Sequence, residues 1–297
     1  MVHQYLDLVH QGKNEWWRYL ISVLIILFFY QVIGPIPLIV LGITLALDEN
    51  PDTDFDLATL QFDGINPIWV YLAINFIFIA LLIGLWIAVH FIHGRRLMTL
   101  VTPAESINWK RVGQGFGLYL LLYAVVSLIS LAITGREVAV TFSPGQFLVF
   151  LPLALILTPI QTTVEEMLFR GYVMQGISLK IKHPWALIVI TSLLFMVPHL
   201  LNPEVEAGFV PMAILYFLVG AFLAFITIKD KSLELAIGSH AANNLFIALF
   251  LNYENSALPT PSILTAAEII PLSSLISFLV VSSIFCVSFF GRRSAQS

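Results

Sequence analysis

Glu165, Glu166 and Arg170 stand together in TTVEEMLFRG, Thr162 to Gly171, at the end of a long apolar run. Residues four apart on a helix share a face, so Glu166 and Arg170 can form an ion pair there. Glu165, about 100° around the helix, has no such local partner. An ionisable side chain in apolar surroundings is costly and by default marks a function. Three more polar residues lie in neighbouring apolar runs: His199 in LLFMVPHLL, and His240 with Asn244 in GSHAANNLF. His240 and Asn244 are also four apart and share a face, while Asn243 points elsewhere. A glutamate beside a histidine can hold and activate a water as general base. A second histidine and an asparagine amide can donate hydrogen bonds to a developing oxyanion. Together these groups have the equipment to hydrolyse an amide. A polar network gluing three helices is the plainer reading, but two histidines and an unpaired glutamate are an expensive glue.

The elements that must position these groups follow from spacing. Residues 165 and 199 are symmetric about 182, where KIKHP turns the chain. If the helix carrying Glu165 runs on to about Lys180 and reverses at 182–184, each residue lies roughly 25 Å from the turn at ~1.5 Å per residue. An antiparallel hairpin then brings Glu165 and His199 level, with Gln175, Ser178, Lys180 and Lys182 in the interfacial part of its arms. Counting from Lys231, His240 and Asn244 reach a similar depth. Glu234, three residues after Lys231, reads as a structural helix-start acid that pairs with that lysine. His90 reads as interfacial.

The chain has 297 residues, of which 59% are hydrophobic and only 11% charged. Soluble domains carry about 25% charged residues, so the composition specifies an all-α polytopic membrane protein. Apolar runs fall at 19–47, 67–92, 114–134, 144–164, 185–201, 211–228, 233–251 and 269–290, which makes eight transmembrane helices. With the N-terminus inside, all 14 lysines and arginines except Arg136 fall on the inner side, Arg292 and Arg293 included. That asymmetry predicts an N-in, C-in topology. The connection 48–66 is acidic, with Asp48, Glu49, Asp52, Asp54, Asp56 and Asp63. Residues 1–18 read as an interfacial segment, 19–144 as helices one to three, 145–250 as the catalytic core of helices four to seven, and 251–297 as helix eight and a tail. Trp69, Trp109 and Trp185 mark span ends. Phe28, Phe29 and Phe76 face lipid or pack. No cleavable signal peptide is read: the first 18 residues are polar and the next apolar run has no A-x-A-like site. The single cysteine, Cys286, excludes an intrachain disulfide and any multi-cysteine metal site. No basic tract points to nucleic acid.

The polar residues resemble three motifs of the CPBP family, membrane proteases and bacteriocin-processing proteins typified by the type II CAAX prenyl endopeptidase. EExxxR matches Glu165, Glu166 and Arg170; FxxxH matches Phe195 and His199; HxxxN matches His240 and Asn244. The resemblance covers about 145–250. It implies an intramembrane glutamic-type endopeptidase in which Glu165 and His199 activate water. His240 and Asn244 would form the oxyanion site, with Glu166, Arg170 and Phe195 in support. It also implies a membrane-associated peptide or protein substrate, with CAAX-like tails one class. The cavity is expected to open toward the cytoplasmic side. Two histidines and a carboxylate are also a zinc ligand set, which would be Glu165, His199 and His240. No HExxH motif is present, and the metal-free reading is preferred. The competing readings are a non-catalytic scaffold or immunity protein of the same family, and a transporter using Glu165 as a proton site. No repeated halves or paired broken helices support the transporter.

Overall fold

The computed structural model describes residues 3–291 except 49, 51 and 57–60; Glu49, Arg292 and Arg293 lie outside the described residues. Eight apolar helices follow one another: α1 (Trp16–Leu47), α2 (Pro67–Ile92), α3 (Trp109–Thr134), α4 (Pro144–Ser178), α5 (Pro184–His199), α6 (Phe209–Asp230), α7 (Glu234–Leu249) and α8 (Pro271–Phe290). Proline at the first helical turn starts α2, α4, α5 and α8, where its missing N–H costs nothing. Asn66 and Asn108 cap α2 and α3 by accepting from the amides of Ile68 and Arg111.

Among the described residues six of these helices are long and apolar enough to cross a bilayer, and the chain is an integral membrane protein. The other two, α5 and α7, have 16 residues each. At ~1.5 Å per residue they rise about 24 Å, less than the ~30 Å hydrocarbon layer. The count of eight full spans is therefore not reached by length. Pro184 and Pro198 bracket α5, and α7 runs directly into a strand. By contrast α4 has 35 residues and continues without interruption past Glu165 to Ser178, as the hairpin spacing requires.

The protein is nearly, not wholly, α-helical. Polar connections that hydropathy leaves as loops pair into two small sheets. β1 (Asp54–Asp56) and β2 (Gln61–Asp63) form an antiparallel hairpin in the acidic connection. β3 (Val138–Val140) pairs antiparallel with β5 (Leu264–Ala266), which pairs parallel with β4 (Leu251–Tyr253). This second sheet ties the connection after α3 to the one after α7 at one end of the bundle. Outside the hydrocarbon such backbone groups can find partners in one another.

The bundle is held by close helix crossings and three apolar clusters. Tyr119, Phe222, Ile226, Phe278 and Phe285 fill the space between α3, α6 and α8. Tyr71, Phe150, Ala154, Leu245 and Leu249 join α2, α4 and α7. The largest cluster includes Val164, Met167, Tyr172, Leu187 and Ile237 together with Tyr5, Leu6 and Leu8. The N-terminal segment is thus only partly interfacial. Trp16 and Trp17 are exposed, but Tyr5, Leu6, Leu8 and Val9 are buried. Tyr5 donates its hydroxyl hydrogen to the Leu100 carbonyl. Gln175 and Ser178 are buried here too, with Gln175 Nε2 donating to Thr99 O at 2.9 Å and Arg95 donating to Gln175 Oε1 at 2.7 Å. The short apolar pattern of residues 5–9 is outweighed by polar neighbours when only composition is read. Trp69, Trp109 and Trp185 are exposed at helix starts, as expected of interfacial anchors.

Where α3 crosses α7 the backbones nearly touch. A Cβ on Gly238 would lie 2.1 Å from the Val112 carbonyl oxygen and 2.8 Å from the Phe116 nitrogen. Small residues permit such approaches in membranes. Gly238→Ala is expected to force the two helices apart and lower the melting temperature in detergent by several degrees. Gly113→Ala, on α3 with nothing within 4 Å of the added carbon, should be neutral or stabilising by about 0.5–1 kcal/mol through helix propensity. Thermal unfolding of both variants, read side by side, checks this; equal effects would contradict it.

Candidate active site

Glu166 is fully buried and its Oε1 is shared by two donors: Arg170 Nη1 at 2.9 Å and His240 Nδ1 at 2.8 Å. The first contact is the ion pair expected from the i, i+4 spacing. The second joins α4 to α7 and is not among the roles expected of His240 from the sequence, oxyanion donor or, with a metal, zinc ligand. Arg170 is also fully buried; its Nη2 donates to the Gly220 carbonyl of α6 at 3.0 Å, and its guanidinium lies 4.4 Å from the Phe195 ring centre. Gly220 itself lies close on α5, where a Cβ would stand 3.0 Å from the Ser192 Cα. Immediately after Glu166 the helix widens into π turns over Met167–Val173 without breaking. Widened turns of this kind recur at functional sites.

Phe195 is the shared wall of the site. Its ring packs on Phe169 and lies 4.3 Å from the His199 ring and 6.2 Å, edge-on, from that of His240. Its carbonyl accepts from His199 Nδ1 at 2.7 Å, one turn on. In a neutral ring this bond fixes the tautomer, leaving Nε2 as a lone-pair acceptor. That Nε2 lies 4.0 Å from Glu165 Oε2, and His240 Nε2 lies 4.0 Å from the same oxygen. Glu165 Oε2 is buried and has no hydrogen-bond partner in the protein. One carboxylate oxygen therefore faces two imidazole nitrogens at a separation too long for direct bonds and short enough for one bridging water.

Glu165, His199, His240 and Asn244 line one cavity of about 260 Å³, so the structure brings together all four residues that the sequence singles out. Asn243 lines it too, which corrects the expectation that it points elsewhere. Its Nδ2 donates to Asn244 Oδ1 at 3.0 Å, and its Oδ1 accepts from Tyr119 at 3.4 Å. Asn244 thus has its oxygen occupied and its amide nitrogen left to donate. Gln161, one turn before Glu165, also lines the cavity; its i−4 position was the one available signal. The Tyr216 ring lies 4.9 Å from that of His199, tilted at 39°, and its hydroxyl donates to Glu204 Oε1 at 2.8 Å. Neither residue belongs to a motif, and no spacing rule points to them. Glu234 and His90 stay outside the site. Among the described residues Glu234 makes no ion pair with Lys231; its oxygens accept from the Asn108 amide at 2.8 Å and Ser232 Oγ at 2.9 Å. His90 is exposed and stacks on Trp86.

The cavity runs toward Leu131, Arg136, Ser256, Leu258 and Ile269, the end of the bundle that carries the second sheet. The lysine- and arginine-rich connections, where the opening is expected from the sequence, lie at the other end. There Tyr5, Leu100, Met174 and Gln175 are packed tightly beneath Arg170. The hairpin count fixes the level of the residues but not the direction in which the space between them opens.

Glu165, His199 and His240 are also the set on which a zinc ion would draw. In a tetrahedral shell with ligands at about 2.0–2.2 Å, neighbouring ligand atoms stand roughly 3.3–3.6 Å apart. The 4.0 Å separations here are wider. Among the described residues no group of three His, Cys, Asp or Glu side chains is arranged to hold a metal ion.

A helical membrane protein with a Glu/His/His/Asn cluster around an internal cavity is the class that fold and site define. Residues 144–246 match the family model described as type II CAAX prenyl endopeptidase Rce1-like, a stretch that includes every residue of the cluster. The chain is also 34% identical over 278 residues to the uncharacterized protein YyaK of Bacillus subtilis (strain 168), covering 93% of this chain and 91% of that relative. No solved structure matches it significantly. The chain belongs to the CPBP family of intramembrane proteases, as its motifs indicate.

Proposed function

We propose that this chain is a glutamic-type intramembrane endopeptidase that hydrolyses a peptide bond of a membrane-associated substrate, with prenylated CAAX-like tails one candidate class. The observation that carries the reading is the unpartnered Glu165 Oε2 set 4.0 Å from the Nε2 of both histidines. A water at about 2.8 Å from Glu165 and His199 subtends an angle near 90° across that gap, compatible with ordinary hydrogen bonds. Both partners accept, so the water donates both hydrogens and keeps its lone pairs for the substrate carbonyl. Glu165 removes one proton as the oxygen adds to carbon. His240 Nε2–H and Asn244 Nδ2–H donate to the oxyanion. Collapse breaks the C–N bond, and Glu165 returns its proton to the leaving amine. Because Nδ1 already donates to the Glu166 carboxylate, the scheme needs both ring nitrogens of His240 to carry hydrogen for Nε2 to donate as well. Glu166 and Arg170 hold the rings in place from outside the cavity, and Phe195 forms its wall. No metal enters the scheme.

The charge distribution supports eight spans with both termini inside, α5 and α7 crossing only in company with the longer helices. With that topology the cavity faces the outer side.

Purified protein is expected to cleave members of a library of prenylated and unmodified membrane peptides, and chelator should leave the rate unchanged. Glu165→Ala, His199→Ala and His240→Ala should each lower the rate at least about a hundredfold. Product from all three variants equal to that from the wild type would remove the catalytic assignment, and none from the wild type would favour a scaffold. Chelator loss restored by zinc would replace the water scheme. For the topology, Ser256→Cys in a Cys286→Ser background should react with an impermeant maleimide in intact cells; labelling only after permeabilisation would invert it.

A further inference from the structure

Arg136 is the exception to the charge pattern of this chain, the one lysine or arginine that the topology leaves on the outer side. Gly135, in the left-handed region at φ 59°, ends α3 and turns the chain inward, so that the next residue enters the cavity rather than the lipid. Arg136 lines the same cavity as Glu165, His199 and His240. Its Nε and Nη2 are buried, and neither has a hydrogen-bond partner. Among the described residues no carboxylate lies within ion-pair distance of it. Glu204 shares the cavity, but its oxygens are occupied: Oε1 accepts from Tyr216 at 2.8 Å and Tyr253 at 3.2 Å, and Oε2 from the Ala257 amide at 3.0 Å. Glu268 is exposed and acts on Arg136 only at longer range.

A guanidinium cannot shed its charge, and five donors in a fixed fork ask for a planar anion. Buried donors left without a partner are rare and call for an explanation. The only carboxylate of the cavity without a protein partner at one oxygen, among the described residues, is Glu165, and that oxygen faces the two histidines. The anion that completes Arg136 therefore has to come from a bound molecule. Two of the three side-chain nitrogens of Arg136 are buried, in a residue that lines the protein cavity, which favours a group carried by the peptide over a phospholipid phosphate.

We infer that Arg136 is a specificity-determining residue that binds a carboxylate of the peptide substrate, terminal or side-chain, while the scissile bond lies at Glu165. This deepens the peptidase reading and rests on it for the word substrate. The site itself can be tested without turnover.

Full-length Glu165→Gln protein, immobilised in detergent, is offered a pool of short membrane peptides, prenylated and unmodified. Each is made as C-terminal acid and as amide, and with Asp or Glu against Asn or Gln at inner positions. Retained peptides are counted by mass spectrometry. One carboxylate form should be retained roughly tenfold over its neutral twin, as a charge-assisted bond predicts. The ratio should fall to about one with Arg136→Gln and be partly kept with Arg136→Lys. The acid/amide arm reports a terminal carboxylate, and the Asp/Asn arm a side-chain one. A ratio unchanged by Arg136→Gln, or no retention, overturns the inference. So does a co-purifying anionic phospholipid lost with Arg136→Gln while peptide retention is unaffected. Cleavage by the wild type is measured separately. An Arg136-dependent ratio without cleavage removes the peptidase reading and leaves the anion site. Cleavage without the ratio removes the anion site alone.

Discussion

One carboxylate oxygen, Glu166 Oε1, is bound by a guanidinium from its own helix and an imidazole from α7. Both residues of the ion pair are fully buried. Charges this deep are tolerated only when paired, and removing one partner of such a pair costs about 3–5 kcal/mol. The rest of the site depends on this arrangement. The pair fixes Arg170, which in turn bonds to the Gly220 carbonyl of α6 and lies over Phe195 of α5. Phe195 orients His199 through its carbonyl and covers it with its ring. Four helices are thereby locked in register around a carboxylate, Glu165, that takes no part in the ion pair.

The two adjacent glutamates differ in role because they differ in direction. Glu166 points into the packed interior and is neutralised there. Glu165, about a quarter turn away, points into the cavity. The widened turns after Glu166 leave the chain unbroken, so α4 can supply both the ion pair and the buried floor formed with Tyr5 and Gln175. The floor and the second sheet then divide the molecule into a packed end and an end toward which the cavity runs.

Much of this was legible in the sequence. Apolar runs give eight helices, spacing gives the Glu166–Arg170 pair, and the symmetry of 165 and 199 about 182 gives the hairpin that levels Glu165 with His199. What stayed hidden depends on rotation and depth. Whether His240 Nδ1 meets Glu166 or solvent is set by how far α7 turns against α4. That turn is governed by the α3–α7 contact at Gly238, which no periodicity reports. Asn243 lines the cavity because its edge of α7 faces Tyr119 of α3. Tyr216 and Glu204 have no motif. The burial of Tyr5 to Val9 and the three-residue strands escape a hydropathy window because they are too short to dominate it.

The central claim is that the neighbouring carboxylates are divided, one for chemistry and one for structure. Measuring turnover and thermal stability of Glu165→Gln and Glu166→Gln together tests it most directly. The account predicts that Glu165→Gln folds as stably as the wild type while turnover falls at least about a hundredfold. Glu166→Gln should lower stability by about 3–5 kcal/mol because Arg170 is left buried without its anion. Retained turnover in Glu165→Gln, or equal losses of stability in the two variants, would contradict it.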